Sequence, residues 1–466
     1  MSKKKSVRVG NREYQFRMLI YPNITTDVKE FRKDSYVKLL PHIINTLCKK
    51  YPTVHMTYLL PRSIEHELKP KFKDQVDYIH YEVPSSPNKM RTNFLMDSEL
   101  LAEITDYKKN PYDILYSHLP EHTLQLSNLF QNNSINDGMR LIGYMHWAET
   151  KRANKSLKRS MLLMNYAGVL ECEEFGVNSK WLKDYLIHDK KNAKQWFNDQ
   201  RLEELENIIQ VHQLGVEKID FTPKRYRGKK IILWNHRVGN YTNFTMMCKA
   251  MSKLYKKRKD FEVHTTYGDA NVSRYKWGRN MNYPTNEEYK KYVKDQVYLH
   301  INTFKSYSAW SISTTDCLEL GIPTVTPNGL CYEEMLGDDY PLLYKQNDID
   351  DFISKVEMVL DSPKFRGEVV KKLKPRITKM TWNKQILNGW VDWDNLFDAT
   401  QYPMCGEGTV KIKNATKLIR KYGEINFSQF AREMKLGSLT KFGLQRNRLR
   451  LNPKIKFTAD GYEWIG

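Results

Sequence analysis

Cysteine is scarce in this 466-residue sequence: there are six, and no two of them form a C-x-x-C pair. Their number and spacing argue against a disulfide framework and against a structural zinc site. Long apolar runs are also missing, since no stretch approaches the roughly 18 consecutive apolar residues of a membrane-spanning helix. No apolar segment follows the basic start Met-Ser-Lys-Lys-Lys. We therefore expect no signal peptide, no membrane association and an intracellular, reducing location.

Several signatures of common enzymes do not occur either. The sequence has no G-x-x-x-x-G-K-S/T loop, no G-x-S-x-G turn and no H-E-x-x-H helix. These absences argue against nucleoside triphosphatases, serine hydrolases and zinc proteases. Two D-x-D triplets, Asp348/Asp350 and Asp392/Asp394, are the candidates for a metal site. The first opens a predicted helix, where acidic residues complement the helix dipole, so we predict that no metal is required.

Acidic residues are in clear deficit. Lys plus Arg number 75 against 54 Asp plus Glu, which gives a formal charge of +21. An excess of that size indicates a polyanionic partner such as nucleic acid, although a generally basic proteome is an alternative explanation. Apolar residues make up 40% of the chain, enough for sizeable cores. The length predicts about three domains.

Short apolar runs alternate with helical patterns through the first half of the chain. The runs are too short for helices and contain β-branched or aromatic residues, so we predict them to be strands. They occupy residues 17–21, 55–60, 76–83, 113–119, 141–146, 168–172 and 208–214. Val37, Leu40, Ile44 and Leu47 recur at spacings of three and four, as in an amphipathic helix. The alternation predicts an α/β fold with a parallel sheet between helices.

A second series of this kind starts after the basic turn at 223–228. Its predicted strands are 231–234, 261–265, 297–301, 324–325 and 342–344, with helices through Met247, Met251 and Leu254 and over 352–360. A break near 401–406 indicates a linker. We therefore divide the chain into domains at 1–224, 225–400 and 405–466.

The segment from Cys405 onward carries 13 Lys or Arg against 5 Asp or Glu. Asn426 and Gln429 match a capping box that opens a helix. A turn at Gly437, a basic helix over 439–451 and a hairpin near 453–465 complete the order of a winged helix-turn-helix. The cations predicted to bind nucleic acid are Lys441, Arg446, Arg448, Arg450, Lys454 and Lys456. The alternative is a small basic helical bundle that packs on the rest of the chain or binds protein.

The segment 310–325 is the most informative for chemistry. A loop rich in Ser and Thr enters a short predicted helix that carries Glu319, and Gly321 and Pro323 lead into the next strand. A helix start offers backbone amides to a diphosphate. Glu319, about one turn further on, is placed to accept hydrogen bonds from a ribose diol. Ordinary capping of a buried helix is the alternative.

This segment resembles the nucleotide-sugar signature of retaining GT-B glycosyltransferases, in which a Glu-containing stretch precedes Gly-x-Pro and a strand. Leu318-Glu319-Leu320-Gly321-Ile322-Pro323 follows that pattern, while Ser311 stands where the family usually has an earlier Glu. The resemblance implies two Rossmann-like domains that face a cleft. It also implies that the donor is held by Thr314, Thr315, Asp316 and Glu319.

The run Ile231-Ile-Leu-Trp-Asn-His-Arg237, followed by Asn243, matches the first strand of the family's second domain. The resemblance implies that Arg237 and Asn243 also contact the donor, with Arg237 neutralising its diphosphate. Thr242 stands where the family has a second cation. A basic residue from 276–279 is a candidate replacement. A surface ion pair is the alternative role of Arg237.

A third match is the strand at 141–146, with His146 at its end and Glu149 close behind, before the Asn178-Ser179 pair. The resemblance implies that His146 and Glu149 border the acceptor and contribute to catalysis; a structural histidine is the alternative. The Trp-rich stretch 381–393 resembles the last helix of the family, which crosses back to the first domain.

The order of these motifs is similar to that in phage DNA α-glucosyltransferases. The resemblance implies transfer of a sugar, with UDP-glucose as the donor, to 5-hydroxymethylpyrimidine bases of double-stranded DNA in the cytoplasm of an infected bacterium. We predict no obligate protein partner. Two alternatives stay open. One is a transferase that acts on tRNA or on a cell-envelope polymer, and the other is a non-enzymatic DNA-binding protein with a degenerate transferase body.

Overall fold

The structure is a computed structural model. It describes residues 7–9, 12–14, 16–22, 35–61, 73–81, 105, 112–131, 139–146, 159–217, 219–222, 226, 228–283, 285–305, 310–400, 410–426, 429–430, 433, 454–457 and 461–466. Within these ranges every helix is too short or too polar to cross a bilayer.

The described part of the first lobe has nine strands, and the last seven of them in chain order form one sheet. Its strands are β1 (Val7–Val9), β2 (Arg12–Tyr14), β3 (Phe16–Tyr21), β4 (Val54–Pro61), β5 (Val76–Tyr81), β6 (Ile114–Ser117), β7 (Arg140–Met145), β8 (Glu174–Val177) and β9 (Ile209–Val211). Its helices are α1 (Ser35–Lys50), α2 (Pro120–Gln131), α3 (Arg159–Glu171), α4 (Lys180–Asp189) and α5 (Asp199–Ile208). β1 and β2 form a separate antiparallel hairpin.

All neighbours in the large sheet are parallel, in the order β5-β4-β3-β6-β7-β8-β9. β3 and β6 are buried along their whole length because helices cover both faces of the sheet. The order runs outward in both directions from the neighbours β3 and β6, as in a Rossmann fold.

The second lobe repeats this plan with six parallel strands. Its strands are β10 (Lys230–Trp234), β11 (Phe261–Thr265), β12 (Gly278–Asn280), β13 (Val297–Ile301), β14 (Thr324–Pro327) and β15 (Leu343–Tyr344). Its helices are α6 (Phe244–Lys257), α7 (Asn286–Gln296), α8 (Ile312–Leu318), α9 (Tyr332–Leu336), α10 (Ile349–Asp361) and α11 (Pro363–Ile377). The order β12-β11-β10-β13-β14-β15 is again of the Rossmann type. The predicted α/β class, with two parallel sheets, is confirmed.

One predicted strand is wrong. Residues 168–172 do not form a strand, because 168–171 are the last turn of α3. A Cβ added at Gly168 would lie 1.9 Å from the Pro120 carbonyl oxygen, so glycine lets α3 approach the start of α2. A short apolar run of this kind cannot be told from a buried helix segment by periodicity alone. The strand at this place in the sheet is β8, a few residues later.

The chain returns to the first lobe after α11. The short helix α12 (Trp382–Lys384), a π-helical turn over Gln385–Gly389 and α13 (Trp393–Thr400) form this segment. Trp382 stacks on His42 of α1, with ring centroids 4.7 Å apart, and Asn383 Oδ1 accepts a hydrogen bond from Thr46. The predicted crossing of 381–393 back to the first domain is confirmed.

The C-terminal part contains α14 (Val410–Tyr422) and the strands β16 (Glu424–Asn426), β17 (Ile455–Phe457) and β18 (Gly461–Trp464). These strands form an antiparallel sheet in the order β16-β18-β17, so the predicted hairpin is confirmed. Asn426 Oδ1 accepts a hydrogen bond from the Gln429 amide, as its predicted capping role requires. The linker at 401–406 and the helix at 439–451 lie outside the described residues.

Candidate functional site at the strand ends of the two lobes

The carboxyl ends of β10 and β13 mark the point where strand order reverses in the second lobe. Ligands of open α/β sheets bind at such a point. Asn235 follows β10 directly; its Nδ2 donates to the Ser313 carbonyl at 2.9 Å and to the Tyr289 hydroxyl at 2.6 Å. His300 Nε2 lies 2.8 Å from Asn235 Oδ1. Asn235 therefore connects the end of β10 to the first turn of α8, which brings the two predicted donor-binding segments together.

Arg237 lies in the loop that connects β10 to α6, and its side chain is exposed. Thr242 anchors this loop from within: it is 1% exposed, and its Oγ1 lies 2.9 Å from the carbonyl oxygens of both Arg237 and Gly239. Thr242 stands where the resembled family has a phosphate-binding cation, and here it stabilises the conformation of the loop. Asn243 caps α6 in the left-handed conformation with φ 54°, and it stays a predicted donor contact.

A lysine that the sequence analysis missed reaches the same loop. Lys305 follows β13; its amide donates to the Tyr241 carbonyl at 2.8 Å, and its Nζ donates to Asn240 Oδ1 at 2.5 Å. A basic residue from 276–279 was the sequence-based candidate for the second phosphate-binding cation, but Arg279 lies elsewhere. Arg279 is held by Glu262, with Nε 2.6 Å from Oε2, on the edge strand β12. A cation four residues beyond the end of a predicted strand was the signal that could have identified Lys305.

His146 stands immediately after β7 in the first lobe and is 9% exposed. Asn178, which follows the neighbouring strand β8, donates its side-chain amide to the His146 carbonyl and lies 3.4 Å from Nδ1. Burial, and to a smaller extent the positive charge of Arg237, lower the pKa of His146 to about 4. His146 is therefore neutral at pH 7, and it lies within electrostatic reach of the arginine of the other lobe.

The helix α8 begins at Ser311, whose Oγ and carbonyl both accept from the Thr314 amide. Thr314 is fully buried and its hydroxyl lies 3.4 Å from Asn302 Nδ2, while the Thr315 hydroxyl donates to the Ile312 carbonyl at 2.9 Å. Ser311, at the position of the family's first Glu, thus acts as an N-cap. The side chains of Thr314 and Thr315 hold the helix in place, and their role toward a donor stays a prediction.

Asp316 makes a contact between the lobes. Its Oδ2 lies 2.5 Å from Nζ of Lys38 on α1 of the first lobe, and the two side chains are 10% and 26% exposed. Because α1 belongs to one sheet and α8 to the other, this ion pair joins the lobes beside the candidate donor segment. Asp316 is thus brought to the interface, and its predicted contact with a donor is untested.

Glu319 is the C-cap of α8 and is 2% exposed. Its Oε1 lies 2.9 Å from Lys290 Nζ, and its Oε2 accepts from the Glu217 amide at 2.7 Å in the connection between the lobes. Burial and the charge of Asp316 raise the pKa of Glu319, while Lys290 opposes that rise. A ribose diol would share this carboxylate with Lys290, so the predicted ribose contact stays a prediction.

The two D-x-D triplets have structural partners. Asp348 caps α10, since its Oδ1 accepts from the amides of Asp350 and Asp351 at 3.0 Å, as its predicted place at a helix start requires. Asp394 is 2.8 Å from Lys50 Nζ. In the described part of the chain no group of three or more His, Cys, Asp or Glu is arranged to hold a metal ion.

Several predicted residues lie outside the described ranges: Glu149, Lys441, Arg446, Arg448 and Arg450. Lys454 and Lys456 are described and exposed on the C-terminal sheet. Lys456 pairs with Glu463 at 3.0 Å, which partly neutralises it.

Solved structures with the same architecture are glycosyltransferases. A sucrose-phosphate synthase from Thermosynechococcus elongatus is similar with a TM-score of 0.60 and 12% identity over 82% of this chain and 100% of that one. Anabaena HepE, solved in complex with UDP and glucose, has a TM-score of 0.56 and 8% identity over 80% and 99% of the two chains. The lipopolysaccharide outer core galactosyltransferase WaaB has a TM-score of 0.53 and 11% identity over 82% and 99%.

The sequence itself matches no protein-family model and no curated protein. At these identities the likeness shows the fold alone. The fold is GT-B: two Rossmann-like lobes, each with a parallel sheet, and a last helical segment that returns to the first lobe.

Proposed function

We propose that the chain is a retaining, nucleotide-sugar-dependent glycosyltransferase that moves a hexose from UDP-glucose to 5-hydroxymethylpyrimidine bases of phage double-stranded DNA. One observation carries the proposal. His146 directly follows a strand of the first lobe, Arg237 lies in the loop after a strand of the second, and the charge of Arg237 contributes to the low pKa of His146. A ligand between these strand ends touches both lobes, as a donor and an acceptor must in a two-lobed transferase.

The chemical step forms one bond and breaks one. The oxygen of the base hydroxymethyl group bonds to the anomeric carbon, and the bond from that carbon to the phosphate oxygen breaks with its electron pair on the phosphate. The hydroxyl proton passes to the departing phosphate on the same face of the sugar, so the configuration is retained. Stabilising the negative charge on the leaving group is the main demand on the protein.

The described residues offer cations for that charge at one loop. Arg237 is exposed in the loop after β10, and Lys305 reaches the same loop through Asn240. We assign the diphosphate to this pair, with Lys305 in the role that the buried Thr242 does not fill. His146 is neutral at pH 7, so we assign it a hydrogen bond to the sugar or to the acceptor hydroxyl, rather than storage of a proton.

The acceptor is inferred from charge and from the C-terminal part. The formal charge of +21 favours a polyanion. The described C-terminal elements, α14 followed by the sheet β16-β18-β17, agree with the order of a winged helix, which we propose binds DNA. A base within a duplex must leave the stack before its hydroxymethyl group reaches the cleft.

A second candidate acceptor is a carbohydrate or phosphate polymer of the cell envelope. It is favoured by the likeness to WaaB, a lipopolysaccharide outer core galactosyltransferase. The full-length protein should be incubated with UDP-glucose and either duplex DNA containing 5-hydroxymethylcytosine or such a polymer. Mass spectrometry of the digested nucleosides should show one added hexose per modified base. Hexose on the polymer alone would replace the DNA proposal, and hexose on neither acceptor would contradict transferase activity toward both.

A further inference from the structure

The helix α6 presents a row of exposed lysines. Lys249, Lys253 and Lys256 are spaced by four and three residues, so they lie on one face of the helix. The whole of α6 carries four lysines and no acidic residue. Like charges at this spacing destabilise a helix, and a bound polyanion relieves the repulsion.

This face forms one wall of a groove. The groove has a volume of about 700 Å³, and the other wall comes from the loop after β11, with Arg274 and Tyr275. Tyr275 is fixed by stacking on the buried Trp277, with centroids 4.6 Å apart and planes 10° apart. Arg274 lies over the Tyr275 ring and donates to its hydroxyl at 3.1 Å. The guanidinium is therefore held at the rim by an anchored aromatic ring.

The charge of the groove is mostly uncompensated. Four of its lining residues are cations, and no carboxylate of the described residues lines it. Among the described residues, Lys253 is the one groove cation with a carboxylate in ion-pair contact, that of Asp350. Lys249, Lys256 and Arg274 are exposed. Three cations around a polar-rimmed groove are suited to phosphate oxygens along a chain.

The groove also starts beside the candidate cleft. The helix α6 follows the loop of Arg237 and Asn243 directly, and Phe244, the first helical residue, lines the groove. A polymer that places one reacting group near Arg237 can thus continue along α6. We propose that this groove binds the phosphate backbone of a duplex nucleic acid acceptor. The inference rests on the proposed function for the identity of the polyanion.

The test compares two sets of substitutions with the same change in charge. The groove variant combines Lys249→Gln, Lys256→Gln and Arg274→Gln. The control variant combines Lys364→Gln, Lys371→Gln and Lys374→Gln on α11, where all three lysines are exposed. Binding of a short unmodified DNA duplex to full-length protein is measured by fluorescence anisotropy over a range of salt concentrations. Melting temperatures check that both variants stay folded.

We expect the groove variant to bind more weakly at low salt and to have a shallower salt dependence. The slope of log K against log salt should fall in magnitude by about 0.9 for each lost phosphate contact, hence by about 3 for three contacts. The control variant should keep the slope of the wild type. Equal slopes in the two variants would overturn the proposal.

The choice of duplex and one further probe separate the causes of failure. Sugar transfer is not measured in this assay, and the duplex carries no hydroxymethyl base, so the groove can pass the test even where transfer to DNA fails. A poly(glycerol phosphate) probe identifies the other class of polyanion. If that polymer binds through the groove residues and duplex DNA does not, the nucleic-acid assignment is wrong.

Discussion

The His146 imidazole and the Arg237 guanidinium interact electrostatically although they belong to different lobes. Each residue follows a parallel strand at its carboxyl end, β7 in one sheet and β10 in the other. The charge of Arg237 adds to burial in lowering the pKa of His146 to about 4. The two sets of strand ends therefore face a common space, and changes to one residue should be detectable at the other.

Replacing Arg237 tests both halves of this relationship. Arg237→Gln should weaken binding of UDP-glucose by roughly 10- to 100-fold, since a charge-assisted hydrogen bond contributes about 1.5–3 kcal/mol. It should also raise the pKa of His146, while burial keeps that pKa below 6.5. Calorimetry and NMR titration measure the two effects. Arg279→Gln is the control, because Arg279 is bound to Glu262. Equal affinities in the two variants would remove Arg237 from the donor site.

Lys305 should act on the same diphosphate. Lys305→Gln is expected to raise the KM for UDP-glucose roughly tenfold, about 1.4 kcal/mol, because one cation is lost. Lys276→Gln, an exposed lysine on the loop before β12, should leave the KM unchanged. Steady-state release of UDP measures both. A raised KM in Lys276→Gln together with an unchanged KM in Lys305→Gln would show that the second cation comes from the segment 276–279.

The Lys38–Asp316 pair should couple the lobes. Lys38→Met leaves the Asp316 carboxylate, 10% exposed, without its cation, which should cost about 1–3 kcal/mol of unfolding free energy. Combining it with Asp316→Leu should cost less than the sum of the single changes. The Lys50–Asp394 pair joins α1 to α13 at 2.8 Å but is 36% and 67% exposed, so its coupling should stay below about 1 kcal/mol. Double-mutant cycles with urea unfolding compare the coupling energies of the two pairs. Equal coupling energies would show that burial does not strengthen the Lys38–Asp316 pair.

Buried histidines should make stability depend on pH. Burial is the main cause that lowers the pKa of His146 to about 4 and that of His118 and His236 to about 3, from 6.5. Because the unfolded chain takes up these protons first, stability is fully present above about pH 6.5 and is lost as pH falls through that value toward 4. Each histidine should remove about 2 kcal/mol between pH 7 and pH 5.

Urea unfolding at intermediate pH values measures this loss. His118→Phe, which keeps an aromatic ring between Tyr116 and Tyr144, should flatten the dependence by one histidine's share. A free energy of unfolding that stays constant from pH 7 to pH 5 would contradict the burial of these rings.

Trp390 should hold the returning segment on the first lobe. Its indole lies nearly parallel to the rings of Tyr144 and His212, with centroids 5.3 and 5.5 Å away, and its Nε1 donates to the Gln213 carbonyl at 2.8 Å. Trp390→Ala should cost about 3–5 kcal/mol. Trp390→Phe keeps the stack and loses one hydrogen bond, so it should cost about 1 kcal/mol. Chemical unfolding measures both, and equal losses would mean that the ring stack contributes little.

Much of the fold could be predicted because parallel strands between helices are apolar on both faces. The runs at 261–265 and 297–301 coincide with β11 and β13, and those at 17–21 and 55–60 lie within β3 and β4. The prediction of a strand at 168–172 was wrong, because residues 168–171 belong to a helix. The glycine of this run, Gly168, lets α3 pack closely against Pro120. The strands β1, β2 and β12 are only three residues long, so they leave no periodic pattern in the sequence.

The sequence by itself determined where polar residues follow apolar strands, and so it located His146 and Arg237 at the ends of β7 and β10. Only the tertiary structure decided what those neighbourhoods contain. Lys38 and Asp316, which form an ion pair, are 278 residues apart in the chain. Glu319 forms an ion pair with Lys290, which lies on another helix, α7. Local patterns record the burial of each element, because periodicity follows from the geometry of one helix or strand. They do not record ion pairs between elements, because those depend on how the two sheets face each other.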